Sequence, residues 1–112
     1  MSKCIDTLQK INTHIMESPK LFGNYAIVKM GFIMECVDSI YSNVVEEIAE
    51  ANSKNCDLSN CHIFDNIKAL EMYLDKSSFC FLGIINIISI REVAVYIKRI
   101  SDDLNLINGI VR

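Results

Sequence analysis

Residues 79–90, FCFLGIINIISI, decide the fold class, because the flanking sequence has helical patterns and these twelve residues fit two structures. Five isoleucines and two phenylalanines favour a β-strand by intrinsic propensity. The length of the run and its helical neighbours favour a buried helix instead. We expect a helix here, with a strand as the alternative. The run is shorter than the roughly twenty apolar residues that cross a bilayer, so it predicts no membrane span.

The sequence after this run predicts a helix. Ser89 and Glu92 have the spacing of a capping box, in which a serine hydroxyl and a carboxylate satisfy the first backbone N–H groups of a helix. A stripe of apolar residues at three- and four-residue steps continues to Asn108. The stripe consists of Val93, Ile97, Ile100, Leu104 and Ile107.

Two shorter helices are predicted on the same grounds. The first ends near Ser18, because Pro19 restricts the residue before it and lacks an N–H group. The other ends near Lys76. Their apolar stripes are Cys4, Leu8, Ile11 and Ile15 in the first, and Ile63, Ile67, Leu70 and Leu74 in the second.

A long central helix is predicted from Asn24, a favourable N-cap, to about Ala51. Its first part, residues 25–34, is apolar almost all round, as expected of a helix enclosed by others. Its stripe consists of Met30, Ile33, Val37, Ile40, Val44 and Ile48.

These patterns predict an all-α fold, a compact bundle of four to five helices with short connections. The chain has 112 residues, of which 51% are hydrophobic, a size and composition that predict a single domain over residues 1–112. We find no internal repeat in the sequence itself.

The charge balance bears on the class of partner. Eleven basic and fourteen acidic residues give a net charge of -3, and only three arginines are present. Such a chain repels phosphate, so we expect no nucleic-acid partner. Five cysteines, an odd number in mostly apolar surroundings, and the absence of an apolar signal core after Met1 lead us to expect a cytoplasmic location.

No motif in the sequence names a reaction. Cys56, Cys61 and His62 lie close together, but adjacent side chains point in different directions and no second Cys/His pair completes a zinc site. A redox pair between Cys56 and Cys61 is the alternative reading of the two thiols. His14 flanks an apolar stripe, as a boundary residue does. We therefore expect no enzyme activity, no cofactor and no bound metal.

One charge pattern departs from the ordinary. Between Met30 and Ser53 there are five acidic residues and no basic one. On a helix, four of them fall within a sector of about 120°. This stripe could be a solvated face, a docking site for Arg91, Lys98 and Arg99 of the last helix, or a surface for a basic protein. The five acids, which are the predicted partner-binding residues, are Glu35, Asp38, Glu46, Glu47 and Glu50.

The leading hypothesis is a non-enzymatic protein that binds another protein. In its most concrete form, a small acidic inhibitor of the immunity type neutralises a basic toxin or nuclease through this stripe. The alternative is a homodimeric helical adaptor or chaperone, such as a secretion chaperone or a viral host-interaction protein, that uses an apolar interface. Surplus apolar residues support the alternative. They are Phe32, Met34, Phe79 and Phe81.

Overall fold

The computed structural model describes residues 2–77, 79–81 and 85–111 as four helices and a small antiparallel sheet. The helices are α1 (Ser2–Glu17), α2 (Met30–Ser53), α3 (Ile63–Ser77) and α4 (Ile90–Val111). The strands are β1 (Lys20–Leu21), β2 (Tyr25–Val28), β3 (Phe79–Phe81) and β4 (Ile85–Ser89). The expectation of a mostly helical chain is confirmed, and the purely all-α fold is wrong.

Two helix predictions are corrected by the sheet. Within residues 79–90, the described segments form β3 and β4 rather than one helix. Twelve residues hold two short strands as readily as three turns of helix, and the isoleucine-rich composition decides for the strands. Residues 25–28, predicted as the start of the central helix, form β2, and α2 begins two residues after the end of that strand, at Met30.

The strands lie in the order β1-β2-β4-β3, so each half of the chain contributes two adjacent strands. The central pairing, β2 with β4, is antiparallel and places Ile27 opposite Ile87 and Ala26 opposite Ile88. Ala26 and Ile88 are fully buried against the helices. Because successive residues of a strand face opposite sides, Ile27 and Ile87 lie on the other face of the sheet, where both are half-buried.

The two halves repeat one αββα unit about a pseudo-two-fold axis at the β2–β4 pairing. Helix α2 begins at Met30 and α4 at Ile90, a separation of 60 residues, which is also the separation of the paired residues Ile27 and Ile87. The buried stripes repeat at the same interval within one residue. The stripe Cys4, Leu8, Ile11, Ile15 of α1 matches Ile63, Ile67, Leu70, Leu74 of α3, and Ile33, Val37, Ile40, Val44 of α2 matches Val93, Ile97, Ile100, Leu104 of α4.

Residue identities do not reveal this repeat, because it preserves the burial of each position rather than the residue type. Each stripe keeps its spacing while isoleucine, leucine, valine and cysteine exchange places, and such exchanges of similar volume maintain a core. The stripes follow from the sequence, but the β2–β4 pairing is needed to relate the two halves as one repeated unit.

A hydrogen bond at equivalent positions fastens the helices in each half. In the first half, the backbone N–H of Lys29, the N-cap of α2, donates to Nε2 of His14 at 3.1 Å. In the second half, the N–H of Ser89 donates to the hydroxyl of Tyr73, also at 3.1 Å. The ring of His14 also packs on Phe32, with the ring centroids 4.8 Å apart. His14 is thus a structural residue that holds α1 against the start of α2.

The bond to His14 predicts a pH dependence of stability. Burial, and next the charge of Lys29, lower the pKa of His14 below its ordinary value of 6.5. The unfolded chain therefore takes up the proton at a higher pH than the folded one, and the stability of the fold decreases as the pH falls through 6.5. The decrease between pH 7.5 and pH 5 should be smaller in His14→Gln than in the unsubstituted protein, as measured by urea denaturation.

The exposed His62 supplies the control for this measurement. The carboxylates contribute equally to the pH dependence of stability in both variants. Because His62 does not hold α1 against α2, His62→Gln should show the same decrease as the unsubstituted protein. At pH 7.5, loss of the bond should also make His14→Gln less stable by about 1 kcal/mol. An unchanged pH dependence in His14→Gln, or a flattened one in His62→Gln, contradicts the assignment.

Candidate functional site

The acidic residues of α2 lie opposite its buried stripe. Ile33, Val37, Ile40 and Val44 face the core, and at 100° per residue this places four acids on the outer side of the helix. Glu35, Asp38, Glu46 and Glu50 are all exposed, and we call these four residues the acidic face. Glu35 and Glu50 are fifteen residues apart, so the acidic face extends about 22 Å along α2.

Glu47 does not lie with the other four acids. It is half-buried on the side of α2 that faces α1, where its carboxylate is close enough to act on Cys4. Burial raises the pKa of the Cys4 thiol, and the negative charge of Glu47 adds to that effect. The structure therefore brings together four of the five predicted partner-binding residues and turns Glu47 towards the body of the protein.

Lysines balance part of the charge at the two ends of the acidic face. At the C-terminal end, Nζ of Lys54 lies 3.0 Å from Oε1 of Glu50 in an exposed ion pair. That pair offsets the unfavourable interaction of a carboxylate with the helix dipole. At the other end, Lys10 of α1 lines the same shallow cleft as Glu35. Asp38 and Glu46 lie between these ends.

Two of the three basic residues that were candidates to dock on the acidic face have partners on their own helix. Lys98 lies 3.2 Å from Oδ2 of Asp102, and the guanidinium of Arg99 lies 5.9 Å above the centre of the Tyr96 ring. The third, Arg91, is exposed near the start of α4. The charge of the acidic face is thus directed to solvent rather than to Lys98 and Arg99.

An aromatic groove adjoins the acidic face between α2 and α3. Tyr41 and Phe64 meet edge to face across it, with their ring centroids 5.6 Å apart. The side chain of Tyr41 is 47% exposed and that of Phe64 38% exposed, so both rings are accessible. Asp38 of the acidic face lines the groove, and the volume of the groove is about 470 Å³. We call it the α2–α3 groove.

The charged rim of this groove is mainly negative. Asp38, Asp65 and Glu71 contribute three carboxylates and Lys68 one ammonium group. These three carboxylates form no hydrogen bond or ion pair within the described residues. The groove therefore combines accessible aromatic rings with excess negative charge, an arrangement that attracts cations.

Tyr41 and Phe64 were not predicted as site residues. The predicted stripe of α3 consisted of Ile63, Ile67, Leu70 and Leu74. The missing information was the angle at which α2 and α3 pack, which turns the edges of their stripes towards each other. The feature that reveals this groove is the exposure of two aromatic rings on facing helices, and it is seen only in the structure.

The cysteine and histidine cluster has the character of ordinary surface and boundary residues. In the described part of the chain, no three His, Cys, Asp or Glu side chains are grouped closely enough to hold a metal ion. The thiols of Cys56 and Cys61 are not in disulfides. Burial raises the pKa of the Cys61 thiol, which disfavours the reactive thiolate, and His62 is exposed immediately before α3.

No protein-family model, curated protein or solved structure matches the chain. Among the described residues, no helix is both long enough and apolar enough to cross a bilayer.

Proposed function

We propose that this chain is a non-enzymatic protein-binding protein that covers a basic surface of its partner with the acidic face. In its most concrete form it is a small inhibitor or immunity-type protein that neutralises a basic toxin or nuclease. The observation that supports the proposal is the exposure of Glu35, Asp38, Glu46 and Glu50 along one side of α2.

The electrostatics of α2 favour this role. The helix has five acidic residues and no basic one between Met30 and Ser53, whereas the chain as a whole has a net charge of only -3. Concentrating negative charge on one side steers a basic partner towards that side and accelerates encounter. Only the opposite, apolar stripe of α2 packs in the core, so the acidic face has no role in packing.

Charge reversal tests the proposal, with a nona-lysine peptide labelled with fluorescein as the basic probe. The double variant Glu35→Lys/Glu46→Lys should bind the peptide at least about tenfold more weakly at low ionic strength, because each reversal turns an attraction into a repulsion. Fluorescence anisotropy measures the affinity, and circular dichroism checks that the helices are retained.

The matched control is Asp6→Lys/Glu17→Lys on the outer side of α1, which changes the net charge by the same amount at exposed positions. This control should lose much less affinity than the α2 variant. Equal losses in both variants would mean that the peptide responds to net charge alone, and would overturn the proposed role of the acidic face.

A second candidate, a homodimer with an apolar interface, is favoured by the β1–β2 turn. Phe22 is 90% exposed there and has a φ of 56°, in the left-handed region that aromatic residues rarely occupy. Met16, 68% exposed, and Tyr25, 44% exposed, belong to the neighbouring elements α1 and β2. Strain at an exposed aromatic residue is the kind of local cost that a binding role explains. We therefore propose a second copy of the chain as the occupant of this surface.

Sedimentation velocity distinguishes the two candidates. A dimer formed through the surface around Phe22 has a mass of twice 12.7 kDa, and the Phe22→Asn substitution should dissociate it. The same substitution should stabilise the monomer by about 1 kcal/mol, because asparagine tolerates the left-handed conformation. Val95→Gln, at an exposed apolar position on α4, is the control and should leave the dimer intact. A monomer at all micromolar concentrations would rule out the dimer.

A further inference from the structure

The pseudo-two-fold axis makes the α2–α3 groove one of two equivalent grooves. Its counterpart lies between α4 and α1, since α4 corresponds to α2 and α1 to α3. The position equivalent to Tyr41 is Ser101, 60 residues later, and the position equivalent to Phe64 is Ile5, 59 residues earlier. Ile5 and Ser101 are both half-buried, and Ile5 packs against the core. The same fold thus forms this junction with small or aliphatic residues, so the packing does not require an aromatic pair.

The charges of the two grooves differ as well. The acidic Asp38 corresponds to the basic Lys98, and Glu71 corresponds to the neutral Asn12. Only Asp65 has an acidic counterpart, Asp6. The aromatic rings and the excess carboxylates occur together in only one of the two equivalent grooves. The fold itself therefore does not require these residues at this junction.

An arginine side chain fits this combination of groups. The guanidinium group is planar and weakly hydrated, stacks on aromatic rings and forms paired hydrogen bonds with carboxylates. An ammonium group is more strongly hydrated and has no flat surface to stack on a ring. A volume of about 470 Å³ accommodates one such side chain together with the chain that carries it.

We infer that the α2–α3 groove receives an arginine side chain of the basic partner. The guanidinium group packs against the rings of Tyr41 and Phe64 on one side. On the other side it faces the carboxylates of Asp38, Asp65 and Glu71. This inference rests on the proposed function, because the arginine belongs to the protein that the acidic face binds. The acidic face supplies attraction to any basic surface, and the groove adds selectivity for arginine over lysine.

The test compares fluorescein-labelled nona-arginine and nona-lysine peptides, which carry the same charge. The unsubstituted protein should bind nona-arginine about threefold to tenfold more tightly than nona-lysine, as expected of one stacked cation. In Tyr41→Leu/Phe64→Leu this preference should disappear, while nona-lysine affinity stays within about twofold. In Tyr41→Phe, which keeps the ring, the preference should persist.

Phe32→Leu, which removes an exposed aromatic ring outside the groove, is the matched control and should retain the preference. Thermal unfolding of each variant verifies its fold. If the double leucine variant does not fold, the ring-proton shifts of Tyr41 on titration of the unsubstituted protein with arginine amide replace it. Those shifts support the inference, and their absence overturns it.

The outcomes separate this inference from the proposed function. Equal binding of the two peptides by the unsubstituted protein, or a preference that survives loss of both rings, overturns the arginine site and leaves the acidic face intact. Insensitivity of nona-lysine binding to Glu35→Lys/Glu46→Lys, with the arginine preference retained, overturns the acidic face instead.

Discussion

The pairing of β2 with β4 is the interaction on which the rest of the structure depends. Each half contributes two short strands, and a two-stranded hairpin of this length has marginal stability in water. Joining β2 to β4 creates a four-stranded sheet whose buried pair, Ala26 and Ile88, belongs to one hydrophobic core with residues of all four helices. The N–H of Ile90 adds a bond of 2.8 Å to the carbonyl of Asn24, so the start of α4 is tied to the first half as well.

This constraint explains how a symmetric framework can carry an asymmetric surface. The buried stripes must keep their spacing in both halves, because each packs against a related neighbour. The outward positions have no such requirement, and there the halves diverge. Asp38 and Lys98 occupy equivalent positions on α2 and α4, yet one lies on the acidic face and the other pairs with Asp102.

Helices and their buried faces were predictable from the sequence because helical periodicity repeats over several turns. The stripes of α1, α3 and α4 are buried as predicted, and the end of α1 before Pro19 is confirmed. The strands were missed because a run of four apolar residues such as 25–28 carries too short a period to distinguish strand from helix. The side chains of Phe79 and Phe81, counted as surplus apolar residues, lie outside those that the structure describes.

The candidate site was predictable only in part, for a related reason. A single helix fixes the angles between its own residues, so the alignment of Glu35, Asp38, Glu46 and Glu50 followed from their spacing. Glu47 lies only 60° further round the helix than Glu50, and the position of α1 decides that it turns inward. The contact of Tyr41 with Phe64 depends on two helices separated in sequence, and spacing along one helix carries no information about it.

Native-state hydrogen exchange followed by NMR tests most directly the claim that the β2–β4 pairing unites the halves. If it does, the slowest-exchanging amides of α1 and α2 and those of α3 and α4 should exchange with one common free energy, equal to that of global unfolding. The amides of β2 and β4 that bond across the pairing should belong to the same group. Slow amides in one half that open at a free energy lower by more than about 1 kcal/mol, while the other half stays closed, would contradict it.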